Sequence, residues 1–324
     1  MSDWLVEEGI GEHRAVLLDG GEIAAARIDW PGGLKAGQIE DAELVSRAAG
    51  SPRGTARFAC GEEALVDKLP REASEGAALR LEVLRTAIPE RMRRKLAQAR
   101  PSTGPCRPAP TLAEALRREG HPVRVVRAFP ECGWDELWDE AWSGTCAFAG
   151  GSLHFSSTPA MTVIDVDGTL SARDLARAAV APLAHALRRF DLGGNIGIDL
   201  PTLEAKDDRR AIDTALGLAL GGWPHERTAM NGFGFVQLAA RLSRPSLLHL
   251  LRFDPAGACA RQLLRLAERV EQPGVLLLTC HPAVCAALRG EWLEELARRS
   301  GREVRLAEDP ALALPAGFAQ AVAA

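Results

Sequence analysis

Apolar positions in this chain change period part-way along. Up to about residue 85 they come in short runs separated by turn residues, the pattern of strands. Residues 15–18 and 23–28 flank Asp19-Gly20-Gly21, a strong hairpin signal. Residues 37–44, 54–60, 64–66 and 79–83 form a second strand series of the kind that builds a small OB-type barrel. Residues 89–99, PERMRRKLAQA, are expected to be helical, with Pro89 at the first turn. The stretch 101–110, PSTGPCRPAP, is dense in proline and small residues and is expected to be a linker. Beyond it the pattern alternates: helix 111–119, strand 123–126, helix 134–142, a Gly150-Gly151 turn, strand 161–166, helix 172–190, strand 195–200 and helix 207–220. Residues 233–242 begin as strand and are expected to end helical. The tail predicts helix 256–269, strand 274–279, one or two helices over 282–300, and strand 304–307. The fold class is therefore α+β / α/β, with several units.

Composition narrows the class without naming a function. With 324 residues, 47% hydrophobic and 25% charged, the chain is globular and long enough for two or three compact units. A net charge of −4 excludes a protein that coats nucleic acid through bulk charge, though a local basic patch still binds phosphate. Only Lys35, Lys68, Lys95 and Lys206 among the 39 basic residues are lysines, so nearly all cationic chemistry is guanidinium. Codon bias alone accounts for that, and it is no evidence for RNA. The seven cysteines contain no CxxC pair, and Cys280-His281 with Cys285 lacks a second ligand pair, so reduced thiols and no structural zinc are expected. No signal peptide is visible, and the apolar runs 247–251 and 275–278 are too short to cross a bilayer. A cytoplasmic protein without membrane contact is expected.

Candidate chemistry centres on carboxylates. In MTVIDVDGTL, Asp165 and Asp167 are two apart, so on a strand they point to one face. Asp199 ends a second apolar strand, NIGIDL, after Gly193-Gly194. If those strands are neighbours, the acids converge within reach of one hard cation, for which Mg²⁺ is the natural candidate. Taken singly, each aspartate reads equally well as a strand-end turn or helix cap.

Two family resemblances meet on this stretch. Asp165-Val166-Asp167-Gly168-Thr169-Leu170 resembles the first motif of haloacid-dehalogenase-type phosphatases. Those enzymes also need a later hydroxyl, for which Thr279 is available, and a lysine, which is absent after Lys206. The ribonuclease E/G family is matched over most of the chain in order. GWDELWDEAW, the Gly150-Gly151-Ser152 turn and Ala160 to Asp165 are similar to its approach to the first catalytic aspartate. DLGGNIGID, ending at Asp199, is similar to the strand carrying the second. GFGFVQL, from Gly232, resembles its Phe-Gly-Leu-Val-Glu element, and HPAVCAALRG, from His281, resembles a small-domain segment of the ribonuclease G branch.

The resemblance implies an S1-like OB-fold RNA-binding domain over 37–100, set within a reduced RNase H-like part formed by 1–36 and 101–150. It implies a DNase I-like catalytic domain over 151–245 and a small αβ domain over 246–324. Asp165 and Asp199 would be catalytic and hold Mg²⁺ with support from Asp167, and the substrate would be single-stranded RNA. Arg57, Phe58, Arg91, Arg93, Arg94 and Arg209 are the candidate RNA contacts, with Phe58 as base platform. Several positions depart from the family: Gln237 stands where it has Glu, Gly232 where it has Arg and Thr202 where it has a further Asp. The cysteines of its zinc link have no counterpart near 243–254, so a monomer or an oligomer joined without zinc is expected. Its Arg-Thr element for the RNA 5′ end has none between Arg100 and Gly133. These departures leave open a catalytically weakened RNA-binding relative.

Overall fold

The computed structural model describes residues 3–89 and 94–323, a mixed α/β protein with several sheets and one closed barrel. The first strands, β1 (Trp4–Glu8), β2 (His13–Asp19) and β3 (Glu22–Asp29), form an antiparallel meander. Its second turn is the expected one, with Asp19 opposite Glu22 and both Gly20 and Gly21 at positive φ.

The chain then builds the barrel from β4 (Ile39–Arg47), β5 (Gly54–Arg57), β6 (Glu63–Val66) and β7 (Ala78–Arg85). The pair β8 (Ile88–Pro89) and β9 (Arg94–Lys95) precedes β10 (Ala97–Pro101), which closes the barrel parallel to β6 and antiparallel to β7. The helix expected over 89–99 is thus corrected: Pro89, Arg94–Lys95 and Ala97–Ala99 are strand, and 90–93, with Arg91 and Arg93, lie outside the described residues. Closure overrides helix propensity because Ala97 and Ala99 alternate into the barrel, fully buried, opposite Ala64 and Val66. The barrel has a core of its own, built from Leu44, Ala56, Phe58, Ala64, Val66, Leu81 and Val83 with those alanines.

Helix α1 (Leu112–Arg118) begins at a capping box between Thr111 and Glu114. It leads to β11 (Val123–Val126), which returns to the first sheet parallel to β1, giving the order β11-β1-β2-β3. The barrel is therefore an insertion within that sheet. One sheet face, through Trp4, Val6 and Ala15, packs on α1, and the other, through Leu5, Val16, Ile23 and Ile28, joins the main core.

After α2 (Trp134–Ser143) come β12 (Thr145–Phe148), β13 (Gly151–Ser157), β14 (Thr162–Gly168), α3 (Ala172–Arg189), β15 (Gly194–Asp199), α4 (Lys206–Ala219), β16 (His225–Arg227) and β17 (Phe235–Ala240). The strands form one sheet in the order β12-β13-β14-β15-β17-β16, in which only β14 and β15 run parallel. A boundary between 150 and 151 would cut the β12–β13 hairpin, so residues 145–150 go with the sheet that follows. The helical ending expected after residue 240 is not formed. Leu175, Ala179, Leu183 and Leu187 line one side of α3 and are buried in the same core as the sheet's Ile164 and Ile198. α3 also reaches β3, where His185 Nε2 lies 2.9 Å from the Ile23 carbonyl.

The remainder comprises α5 (Leu247–Phe253), α6 (Pro255–Glu268), β18 (Val275–Cys280), α7 (Pro282–Ala287), α8 (Gly290–Ser300), β19 (Val304–Glu308) and β20 (Phe318–Val322). Its sheet has β18 between parallel β19 and antiparallel β20. It is not packed apart: its apolar residues are continuous with the core of the first and second sheets. Buried charge ties it down as well. Glu7 on β1 pairs with Arg14 on β2 at 3.1 Å and with Arg265 on α6, which also reaches Glu12 at 3.0 Å. Burial pushes the Glu7 carboxyl up, but Arg14, Arg265 and the Phe129 amide at 3.0 Å outweigh it and hold the group below its ordinary value. Burial, with Arg265 nearby, pushes the Arg14 guanidinium down to about 10. Among the described residues no helix is long and apolar enough to cross a membrane.

Candidate metal and substrate site

Asp165 and Asp199 are register partners on the adjacent parallel strands β14 and β15. Neighbouring strands lie about 4.8 Å apart, and residues in register share a face, so the two carboxylates stand side by side. Their own strands fix which face. Ile164 and Val166 on β14, and Ile196 and Ile198 on β15, are buried towards the helices, whereas Asp165, Asp167 and Asp199 are exposed on the other side. Neither Asp165 nor Asp199 has a hydrogen-bond or ion-pair partner among the described residues. Asp167 lies one pleat further along β14, and its Oδ1 accepts from the Gly168 amide at 2.8 Å.

The row extends on both sides. On β13, His154 is opposite Asp165; its Nε2 lies 2.8 Å from Ser152 Oγ and its Nδ1 3.3 Å from Thr145 Oγ1. On β17, Phe235 is opposite Asp199, and Gln237 is opposite Gly197. Gly197 is required there, because a Cβ would come within 2.4 Å of Phe235 Cζ. The aromatic ring lies on the sheet beside the carboxylates only because that position has no side chain. Among the described residues no group of three or more His, Cys, Asp or Glu side chains is placed to hold a metal ion, so the aspartates offer a two-carboxylate set.

Asp199 runs straight into a tied loop. The Leu200 amide donates to the Gly234 carbonyl at 3.2 Å, and Thr202 Oγ1 donates to the Phe233 carbonyl at 3.2 Å. Arg209, at the start of α4, donates to the carbonyls of Leu203 and Glu204, the latter at 2.8 Å. It holds the loop after Asp199, and one of its amino groups is committed to that, a different role from the RNA contact expected of it.

The expected barrel contacts are placed differently from the carboxylates. Phe58 is 2% exposed and belongs to the barrel core, which corrects its expected role as a base platform: a ring packed against Leu44 and Val66 offers no face to a base. Arg57 is on the surface, paired with Glu63 at 2.8 Å, and Arg94 is paired with Glu62 at 3.0 Å. Arg53, Arg80 and Arg100 on the barrel also face carboxylates. Thr279, the hydroxyl considered for a phosphatase, is on β18 in a different sheet from Asp165.

Two features of this region went unread in the sequence. His154 carried no signal beyond the alternation of HFSS. Phe233, between Gly232 and Gly234, is the most exposed large apolar residue among those described, at 82%. A cleft of about 730 Å³ lies elsewhere, between β1, β11, α6 and α8. Arg127 and Arg269 on its wall are matched by Glu8 and Glu271, so it has no bias towards either charge.

No protein-family model matches the chain, and no curated protein matches it.

Proposed function

We propose that this protein is a Mg²⁺-dependent endoribonuclease acting on single-stranded RNA. The observation that carries the reading is the register of Asp165 with Asp199: two exposed carboxylates side by side with no cationic partner among the described residues. Like charges directly opposite on neighbouring strands are unfavourable, and a hard divalent cation removes the penalty. The donor set fits Mg²⁺, which is commonly held by one or two carboxylates with water and substrate phosphate completing its shell. Asp165 and Asp199 would hold the ion, with Asp167 beside them; when bound it supplies Lewis-acid polarisation of a phosphodiester and a lowered pKa for attacking water. Around them His154, Phe235 and Gln237 offer polar and aromatic contacts on the same sheet face.

The domain reading belongs to the same proposal. A five-strand barrel, its third strand parallel to its fifth, inserted between β3 and α1, suits an S1-like OB unit within a reduced RNase H-like sheet. Exposed ion pairs contribute little stability, about 0–1 kcal/mol, so a phosphate backbone can displace Glu63 from Arg57 or Glu62 from Arg94. The alternative, an RNA-binding relative with weakened catalysis, is favoured by Gln237, Gly232 and Thr202, where the family has Glu, Arg and a further Asp.

Incubating 5′-labelled single-stranded RNA with the protein in Mg²⁺, in EDTA, and with Asp165→Asn or Asp199→Asn separates these readings. Metal-dependent internal cuts lost in both variants support the nuclease. Binding without cuts moves the assignment to the weakened relative. Release of phosphate from a small phosphoester, dependent on Asp165, overturns both in favour of a dehalogenase-type phosphatase.

A further inference from the structure

Phe233 is 82% exposed, so both faces of its ring are open to a ligand. It is not on a loose loop. Asn231 Oδ1 accepts from the amides of Phe233 at 2.9 Å and Phe235 at 3.1 Å, and the Asn231 carbonyl accepts from Gly234 at 3.2 Å. The turn is closed against the end of β15 by the Leu200 and Thr202 bonds to Gly234 and Phe233. Gly234 has φ +94°, and a Cβ there would meet the Leu200 carbonyl at 2.1 Å, so no other residue fits so close to the strand end. Upstream, Asp213 on α4 receives Arg227 at 3.1 Å and the Met230 amide at 2.9 Å, anchoring the segment that leads into the turn. The backbone thus presents an aromatic ring to solvent at a position specified by these bonds.

That position adjoins the carboxylates. Phe233 is two residues from Phe235, which is the register partner of Asp199, so its Cα lies no more than about 13 Å from that of Asp199. An exposed aromatic on a rigid mount next to a two-carboxylate site suits a flat, apolar-faced group attached to a phosphate. We infer that Phe233 is a base-stacking residue that seats a nucleobase of single-stranded RNA close to the phosphate held at Asp165 and Asp199. The inference rests on the ribonuclease reading and deepens it, because it moves the base platform from the barrel to the rim of the catalytic sheet. A base has a π-face whatever its identity, so the contact would fix register without demanding sequence.

The test uses the full chain and a single-stranded RNA carrying 2-aminopurine near the mapped cut. Binding is read in EDTA from 2-aminopurine quenching, and turnover in Mg²⁺ from KM and kcat. Wild type is expected to quench the probe. Phe233→Ala is expected to abolish the quenching and raise Kd and KM about tenfold while kcat is held, the size of one lost stacked base. Phe233→Trp restores both, and Phe233→Leu, apolar but without a π-face, does not. Because the side chain is solvent-exposed, none of these variants should unfold the protein. Wild-type cutting with unchanged Kd and KM in Phe233→Ala, or full rescue by Leu, overturns this inference and leaves the ribonuclease reading standing. A change in sedimentation on substitution, with RNA affinity unaltered, overturns it in favour of contact with a second copy. Wild type that neither binds nor cuts RNA removes both.

Discussion

Glu7→Gln tests the buried charge that joins the first strands to α6. The carboxylate serves two guanidiniums at once, Arg14 at 3.1 Å and Arg265, both almost fully buried. Glu12, the other acid, bonds Arg265 at 3.0 Å and accepts from Trp30 Nε1 at 2.9 Å. Removing the Glu7 charge therefore leaves Arg14 buried over Phe129 and Trp134 without a bonded counter-ion. Breaking a buried pair by deleting one partner costs about 3–5 kcal/mol, because the surviving charge is uncompensated. For 324 residues, an unfolding entropy of about 2.1 cal/mol/K per residue converts that to a Tm lower by about 4–7 °C. Urea unfolding followed by tryptophan fluorescence is the assay, since Trp134 packs against the affected guanidinium. The pH dependence has a definite sign. A carboxyl held below its ordinary 4.5 in the folded state contributes stability that is present above that value and is lost as pH falls through the lowered one. The difference between wild type and variant should therefore shrink as pH drops below 4.5. A neutral-pH difference under about 1 kcal/mol, or one that ignores pH, refutes the reasoning. Glu63→Gln, which breaks the exposed pair with Arg57, should change stability by no more than about 0.5 kcal/mol.

Three further outcomes follow from the geometry. Without divalent cation, Asp199→Asn should be as stable as wild type or more so by about 0.2–1 kcal/mol, since it relieves a like-charge pair, while millimolar Mg²⁺ should raise the Tm of wild type alone, measured by scanning calorimetry. Gly197→Ala should displace Phe235 from the sheet and destabilise by about 1–3 kcal/mol in urea titration, because the added methyl meets the ring at 2.4 Å. Burial pushes the thiols of Cys146, Cys259 and Cys280 up to about 12, so iodoacetamide should label exposed Cys60 and Cys106 first, with the buried three following only on unfolding, read by peptide mass spectrometry.

The local part of this molecule was legible in the residues. Alternation and turn chemistry located the β2–β3 hairpin and the first four barrel strands. The switch to helical patterning placed α1 within 111–119 and α3 within 172–190. The same alternation put Asp165 and Asp167 on one strand face and ended a second strand at Asp199. These are properties of neighbours in sequence, where period and backbone preference act directly. Tertiary structure decided the rest. PERMRRKLAQA has the composition of a helix, yet Ala97–Pro101 is strand because the barrel needs a fifth edge-closing partner, and no local rule contains that demand. Phe58 went inward for the same reason. The pairing of β14 with β15 was a condition the sequence could state but not meet by itself: only the sheet order sets Asp165 beside Asp199, His154 beside Asp165, and Phe233 on the rim. Contacts between residues distant in the chain are chosen by burial of the whole core, and that choice turns two separate strand-end aspartates into one site.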